Sequence, residues 1–296
     1  MKKLLFIMNP FSGQKRANRY LPEILQMFNQ AGYEVVVHIT SGHGDATVAV
    51  ERQGAGKDLI VCCGGDGTFN EAVSGVLEEE LHVPLGYIPA GTTNDFATSL
   101  KLPTGPVAAA RAIAEGKAVS YDAGRFGERY FTYVASFGAF TRASYATPQS
   151  LKNALGHLAY VLEGIQELSQ LKKERVRIDL DDGTIVEDDF LFGAITNTMS
   201  MGGVLTLDPK QVNLQDGWFE IFLIRAPRDI AEVSECLRAL HTQKYNCQMV
   251  TFLKAKSLTV FARRDMSWTL DGEYYPGAAK IHVENLMRSV QLMRKE

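Results

Sequence analysis

An apolar pentapeptide, Leu59-Ile60-Val61-Cys62-Cys63, runs directly into Gly64-Gly65-Asp66-Gly67-Thr68-Phe69-Asn70-Glu71. A short apolar run without alternation predicts a strand buried on both faces, as parallel sheets require. Paired glycines let such a strand turn without Cβ clashes and leave the amides of the following helix facing an anion. Phosphate is the natural guest. A carboxylate at Asp66 would repel a bare phosphate, so its presence implies a divalent cation or a hydroxyl donor between the two. The competing reading is an ordinary glycine turn with Asp66 capping a helix that starts near Thr68. The octapeptide is neither the Walker pattern, since no Gly-Lys-Ser/Thr follows, nor the three-glycine dinucleotide fingerprint.

The first ~120 residues alternate strand and helix patterns, which predicts a parallel sheet with helices on both faces. Strands are expected at Lys3 to Met8, Tyr33 to Ile39, Leu59 to Cys63 and Leu85 to Ile88. Helices are expected from about Arg16 to Ala31, then Asp45 to Gln53, Asn70 to Glu79 and Val107 to Glu115. Three loops of similar character follow strand ends: Asn9 to Gly13, Gly64 to Thr68, and Pro89 to Phe96. Ligand crevices of open α/β sheets lie at those carboxyl ends, so the three loops can converge. Beyond Glu115 the texture changes to short strands separated by turn residues, among them Arg129 to Ser136, Arg175 to Leu180, Thr184 to Asp188, Phe190 to Asn197, Trp218 to Ile224, Lys256 to Ala262, Lys280 to Glu284 and Ser289 to Met293, which predicts a mostly antiparallel sandwich or barrel. Helical interludes are expected at Pro148 to Lys172 and Ile230 to Leu240. The expected division is an α/β domain over 1–122 and a β-rich domain over 123–287, with the last strand near 288–296 returning to the first.

Composition narrows the classes. The chain of 296 residues is 46% apolar, enough for two cores, and its net charge of −3 argues against a nucleic-acid partner. Lys2, Lys3, Lys15, Arg16 and Arg19 stand close together in sequence with no acid among the first twenty-two residues, a patch suited to anionic phosphates or an anionic membrane surface. The four cysteines lack metal-ligand or disulfide spacing, so Cys62 and Cys63 read as small core residues in a reducing, cytoplasmic compartment. No apolar stretch approaches the ~20 residues that span a bilayer.

Several separated motifs resemble one family, the bacterial soluble lipid kinases of the diacylglycerol kinase catalytic-domain type, relatives of sphingosine kinases. They are Asn9-Pro10-Phe11-Ser12-Gly13, Gly64 to Glu71, Gly91-Thr92-Thr93-Asn94-Asp95-Phe96-Ala97, and Asp122-Ala123-Gly124 with Phe131 and Ser136-Phe137-Gly138. Met201-Gly202-Gly203, Pro209, Asp216-Gly217 and Asp271-Gly272-Glu273 complete the set. The resemblance implies an NAD kinase/diacylglycerol kinase-like α/β domain and a β-sandwich domain. It also implies transfer of the γ-phosphate of ATP, with Mg²⁺, to the hydroxyl of a neutral lipid. Diacylglycerol is the expected acceptor and phosphatidic acid the product, within phospholipid synthesis.

By that resemblance Glu273 is the general base, a carboxylate whose pKa partial burial would raise toward a useful range. Asp66 would orient the acceptor hydroxyl or the nucleotide-bound Mg²⁺, and Asp95 would support that cation. Nucleotide contacts are assigned to Asn9, Ser12, Gly13, Thr40, Gly64, Gly65, Gly67, Thr68, Asn70 and Thr92, largely through backbone amides and short hydroxyls. Glu71 is open between the adenosine ribose and a capping box with Thr68. A second, structural Mg²⁺ or Ca²⁺ is implied at Asp216 with the carbonyls of Asn213 and Trp218. This chain departs from the family pattern there, at Gln211 and Glu220. The acyl pocket is expected along Phe137 to Tyr145 and the helix after Pro148. The rival readings are an NAD kinase-like enzyme, which shares the Gly-Gly-Asp-Gly-Thr loop, and a catalytically silent nucleotide- or lipid-binding regulator. The partners expected are a neutral lipid and, peripherally, an anionic bilayer; a homodimer through strands of the second half stays open.

Overall fold

The computed structural model describes residues 1–92, 94–138, 172–198, 200–201, 205–206, 212–242, 245 and 247–295. They fall into two compact units, Met1–Ala123 with Arg288–Glu296, and Gly124–Met287.

In the first unit, β1 (Lys2–Met8), β2 (Tyr33–Ile39), β3 (Leu59–Gly64) and β4 (Leu85–Pro89) are parallel. Their order is β4-β3-β1-β2. Every residue of β3 and β4 is buried, as expected of central strands, whereas the edge strand β2 keeps Val36, Val37 and Ile39 exposed. Helices α1 (Leu21–Gln30), α2 (Asp45–Gln53), α3 (Asp66–Glu78), α4 (Asp95–Ser99) and α5 (Pro106–Glu115) complete the unit. Helix α1 buries Ile24 and Phe28 among Leu4, Phe6 and Val61, and Pro22 sits in its first turn, where the missing N–H costs nothing.

The helix expected from Arg16 to Ala31 is two elements. A 3₁₀ segment, Gly13–Tyr20, precedes α1, because Pro22 lacks the N–H that a continuous helix would need. The helix after the glycine turn starts at Asp66 with Gly65 as its N-cap residue, not near Thr68. The basic stretch also divides. Lys2 and Lys3 lie at the amino end of β1 and Arg19 beyond its carboxyl end, so about 20 Å of strand separates them.

The described strand pairings within the second unit are antiparallel. Its strands are β5 (Lys117–Phe126, which begins in the first unit), β6 (Arg129–Phe131), β7 (Val134–Gly138), β8 (Glu174–Leu180) and β9 (Ile185–Thr196). The short pair β10 (Ser200–Met201) and β11 (Leu205–Thr206) precedes β12 (Phe219–Arg225), α6 (Ile230–Thr242), β13 (Val250–Ala255) and β14 (Ser257–Phe261). The last three are β15 (Trp268–Leu270), β16 (Glu273–Tyr275) and β17 (Lys280–Arg294), whose residues from Arg288 on belong to the first unit, where Leu292 pairs parallel with Leu85 of β4. The amino half of β9 pairs with β8, while its carboxyl half lies between β7 and β12. That long strand thereby spans two sheet regions around a core of Trp268, Phe126, Phe137 and Phe219.

Two pairs of expected strands are single elements. Thr184 to Asp188 and Phe190 to Asn197 form β9, and Lys280 to Glu284 with Ser289 to Met293 form β17. In β17 the irregularity survives as Arg288, whose φ is +53°; its N–H donates to the buried carboxylate of Asp122 at 2.7 Å. Conversely, the expected strand Arg129 to Ser136 is broken at Thr132-Tyr133, and β13 was not anticipated, since no turn residue separates it from β14. The expected helix at 148–171, the acyl-pocket segment beyond Gly138, Gly202, Gly203, Pro209 and Gln211 lie outside the described residues.

Candidate active site

The three loops at the carboxyl ends of β1, β3 and β4 meet, and backbone contact brings them together. The Asn9 N–H donates to the Cys63 carbonyl at 2.9 Å, and that of Ala90 donates to the Gly64 carbonyl at 2.8 Å. Gly13, at φ +38°, lies so close to the carbonyls of Ala90 and Gly91 that a Cβ would overlap them. A Cβ on Gly91 would stand 2.6 Å from Gly65 Cα. Side chains with a Cβ cannot pack like this, which is why the loops are glycine-rich.

Polar side chains fix the arrangement. Asn9 Nδ2 donates to Thr68 Oγ1 at 3.0 Å and Asn9 Oδ1 accepts from the Phe11 amide at 3.0 Å, so one residue ties the first loop to α3. The Ser12 N–H donates to the Asn9 carbonyl, and Thr40, buried at the end of β2, donates its N–H to Met8. Asp66 spans the second and third loops. Its Oδ2 accepts from the Asp95 N–H at 2.9 Å and its Oδ1 from that of Phe96 at 3.2 Å, with the Tyr87 hydroxyl 3.3 Å from Oδ1. The carboxylate thus caps α4 rather than its own helix, α3. Asn94, at the N-cap position of α4 with φ +52°, turns its amide back to the N–H and carbonyl of Gly91 instead of capping. Beneath these groups Phe69 stacks between Tyr87 and Phe96, with ring centroids 4.4 and 4.9 Å away.

Gly67 and Asn70 lie in the first turns of α3. Glu71 bonds to the start of α2: its Oε1 accepts from the Gly44 N–H at 2.7 Å and its Oε2 from that of Ala46 at 3.1 Å, with His43 Nδ1 at 3.1 Å. This replaces the capping box with Thr68, because the helix begins two residues earlier and Glu71 closes a neighbouring helix instead. A cavity of 680 Å³ opens beside Gly13, Gly91, Thr92 and Asn94, and Arg19 and Tyr20 line it. Its size is typical of small-molecule sites. Burial pushes the Cys63 thiol at the end of β3 up to about 12 and also raises that of Cys62 well above the ordinary thiol range, which leaves both as inert core groups.

In the second unit, Glu273 begins β16 on a two-residue hairpin turn. Asp271 and Gly272 have φ of +49° and +90°, the signature of a type I′ turn, which Asp-Gly favours. The Asp271 side chain is buried and accepts from the amides of Thr132, Tyr133 and Val134 and from the Thr132 hydroxyl, at 2.5 to 3.0 Å. Its burial raises the carboxyl above the ordinary range, and those bonds oppose the rise. Asp271 thereby fixes the turn that carries Glu273.

Asn213 and Asp216 form successive turns, with Asn213 Oδ1 accepting from Gln215 N–H and Asp216 Oδ1 from Trp218 N–H, each at 3.1 Å. The nearby Glu220 is fully buried, and its carboxylate faces Lys254 Nζ at 3.1 Å. Burial pushes the Glu220 carboxyl up to about 7, and the Asp216 charge adds to the rise while Lys254 opposes it. An all-oxygen donor set with a second carboxylate close by suits a hard cation.

Tyr87 has no place in the sequence motifs, and Asn94, Asp122 and Asp271 stand in them without the partners that the fold gives them. Tyr87 carried no signal beyond an aromatic in a buried strand. Asp271 was visible only as part of a turn.

Residues 3–126 match the diacylglycerol kinase catalytic domain, and residues 134–293 match the YegS C-terminal NAD kinase beta sandwich-like domain. A diacylglycerol kinase of Bacillus subtilis (strain 168) is 36% identical over 276 residues, covering 93% of this chain and 90% of that protein. One from Staphylococcus aureus (strain MRSA252) is 34% identical over 296 residues, 98% of this chain and 92% of that protein. The crystal structure of a diacylglycerol kinase from Bacillus anthracis str. Sterne superposes with a TM-score of 0.76 at 23% identity, covering 99% of this chain and 97% of that one. An α/β unit with a parallel sheet and a β-sandwich-like unit, the architecture expected from the sequence, are thus shared by both comparisons. The chain belongs to the diacylglycerol kinase family, kinases whose phosphoryl acceptor is an alcohol.

Proposed function

We propose that this protein transfers the γ-phosphate of ATP to the hydroxyl of a neutral lipid, with diacylglycerol the acceptor and phosphatidic acid the product. The observation that carries the reading is the Asp66 carboxylate held on the amides of Asp95 and Phe96, which clamps two glycine-rich loops into one concave backbone surface. Positioning and charge neutralisation, rather than covalent chemistry, are what phosphoryl transfer demands of a protein.

The α/β unit is the nucleotide domain and the β-rich unit the lipid domain. Backbone amides around Gly13, Gly64, Gly65, Gly67 and Gly91, with the side chains of Asn9, Ser12, Thr68, Asn70 and Thr92, hold the phosphates. Thr40 and Glu71 border the nucleoside. Asp66 and Asp95 are the carboxylates suited to a Mg²⁺ that would neutralise phosphate charge. Glu273 takes the hydroxyl proton, and Asp271 positions it. A structural Mg²⁺ or Ca²⁺ would be held by Asp216 and the carbonyls of Asn213 and Trp218. Phe11, 71% exposed, and Tyr20, next to Arg19, supply apolar and cationic groups for peripheral contact with an anionic bilayer. No described helix is long and apolar enough to cross a membrane.

The test is incubation of the full chain with labelled ATP, Mg²⁺ and mixed micelles of diacylglycerol, ceramide, a sphingoid base or an isoprenoid alcohol. Label should enter the organic phase with diacylglycerol. Label on NAD and on none of the lipids would replace this reading with the NAD kinase one. Full turnover by Glu273→Gln would remove the assigned base.

A further inference from the structure

The first unit holds a second cavity, of 560 Å³, bounded by α5, the Lys101–Pro103 segment and the last residues of β17. Its walls are apolar, with Leu102, Val107, Ala108 and Met293 among them. Its charged groups are Lys101, Arg111, Arg294 and Lys295, and none of its lining residues is acidic. In a chain of net charge −3, four cations and no acid around one opening is a local reversal of sign.

Lys295 Nζ pairs with Glu115 at 2.6 Å, and Arg294 donates to the neutral Tyr121 hydroxyl at 2.7 Å. Lys101 and Arg111 have no carboxylate within ion-pair distance among the described residues. Both are exposed on the rim, where Lys101 adopts φ +55° at the end of the α4 segment. Buried Tyr87, whose hydroxyl reaches Asp66, is also among the lining residues. The cavity shares no lining residue with the one beside Gly13 and Gly91, although the two are neighbours along the chain, with Thr104 to Pro106 on that one and Lys101 to Pro103 with Val107 on this one.

Apolar walls beneath a rim that stays cationic after Glu115 offsets one of its four positive charges match a molecule with one alkyl chain and one anionic head. A neutral diglyceride offers no charge to Lys101 and Arg111, and a nucleotide offers no chain to Leu102 and Met293. We propose that this cavity binds a single-chain anionic amphiphile, with its head group on Lys101 and Arg111. The proposal does not rest on the kinase reading.

Titration calorimetry on the full chain with dodecyl phosphate below its micellar concentration tests it. One equivalent should bind at least tenfold more tightly than dodecyl maltoside, which has the chain without the charge, or inorganic phosphate, which has the charge without the chain. Dodecanoate run in parallel separates carboxylate from phosphate head groups, and binding of either amphiphile supports the site. The Lys101→Ala/Arg111→Ala double variant should lose at least tenfold in affinity with unchanged melting temperature. Ala108→Leu, a substitution at an exposed helix position, should do the same by filling the cavity. Equal affinity for dodecyl maltoside, undiminished binding by both variants, or binding to anionic vesicles but not to the monomeric amphiphiles would overturn the proposal.

Discussion

Asp66 Oδ2 accepts the backbone N–H of Asp95 at 2.9 Å, so the acid of the second loop holds the acid of the third. Replacing Asp66 with Ala leaves that amide and the Phe96 amide without their charged acceptor. The expected loss is about 1–3 kcal/mol of local stability, read as faster hydrogen exchange at residues 95 and 96. Kinase activity should fall by at least a hundredfold, and Asp66→Asn should restore exchange protection more fully than turnover.

Asp271 accepts four hydrogen bonds in a site that excludes water. Its replacement by Ala strands three amides and removes a residue that tolerates positive φ, so the second unit should lose about 3 kcal/mol or more in denaturant unfolding. Asn tolerates the same φ but brings an NH₂ group against N–H donors, and should recover only part of the loss.

Gly91→Ala separates loop geometry from stability. Its Cβ would meet Gly65 Cα at 2.6 Å and Asn94 Oδ1 at 2.8 Å, which forces the second and third loops apart. Affinity for ATP should drop at least tenfold while the melting temperature falls by only a few degrees.

Glu220 gives stability a pH dependence of definite sign. Its folded carboxyl titrates at about 7 against 4.5 in the unfolded chain, so the folded state binds the extra proton between those values. The contribution is fully present below pH 4.5 and is lost as pH rises through about 7. Relative to wild type, Glu220→Gln should gain roughly 3 kcal/mol between pH 4.5 and pH 8. Urea midpoints with a chelator present, which keeps stray cations from the acidic turn, check this.

Much of the first unit was legible because its signals are local. Leu59 to Gly64 is apolar on both faces, and paired glycines after it admit only a turn, so strand, loop and helix could be placed to within a few residues. Tyr87 was not legible, since nothing near β4 announces that its hydroxyl will meet a side chain twenty-one positions earlier. Glu71 misled for the same reason: its spacing from Thr68 fits a capping box, yet its partners are Gly44 and Ala46.

The sequence by itself determined which residues form the loops and that they need glycine, because close backbone approach and φ sign are properties of single positions. It also determined the two textures, alternating α/β and then short strands, because periodicity is local. Only the tertiary structure decided which acid holds which amide. Asp66 serves α4 rather than α3, Asp122 serves Arg288, and Asp271 serves a segment 137 to 139 residues away. A carboxylate accepts from whichever N–H the completed fold brings within reach, and that choice exists only once the strands have paired.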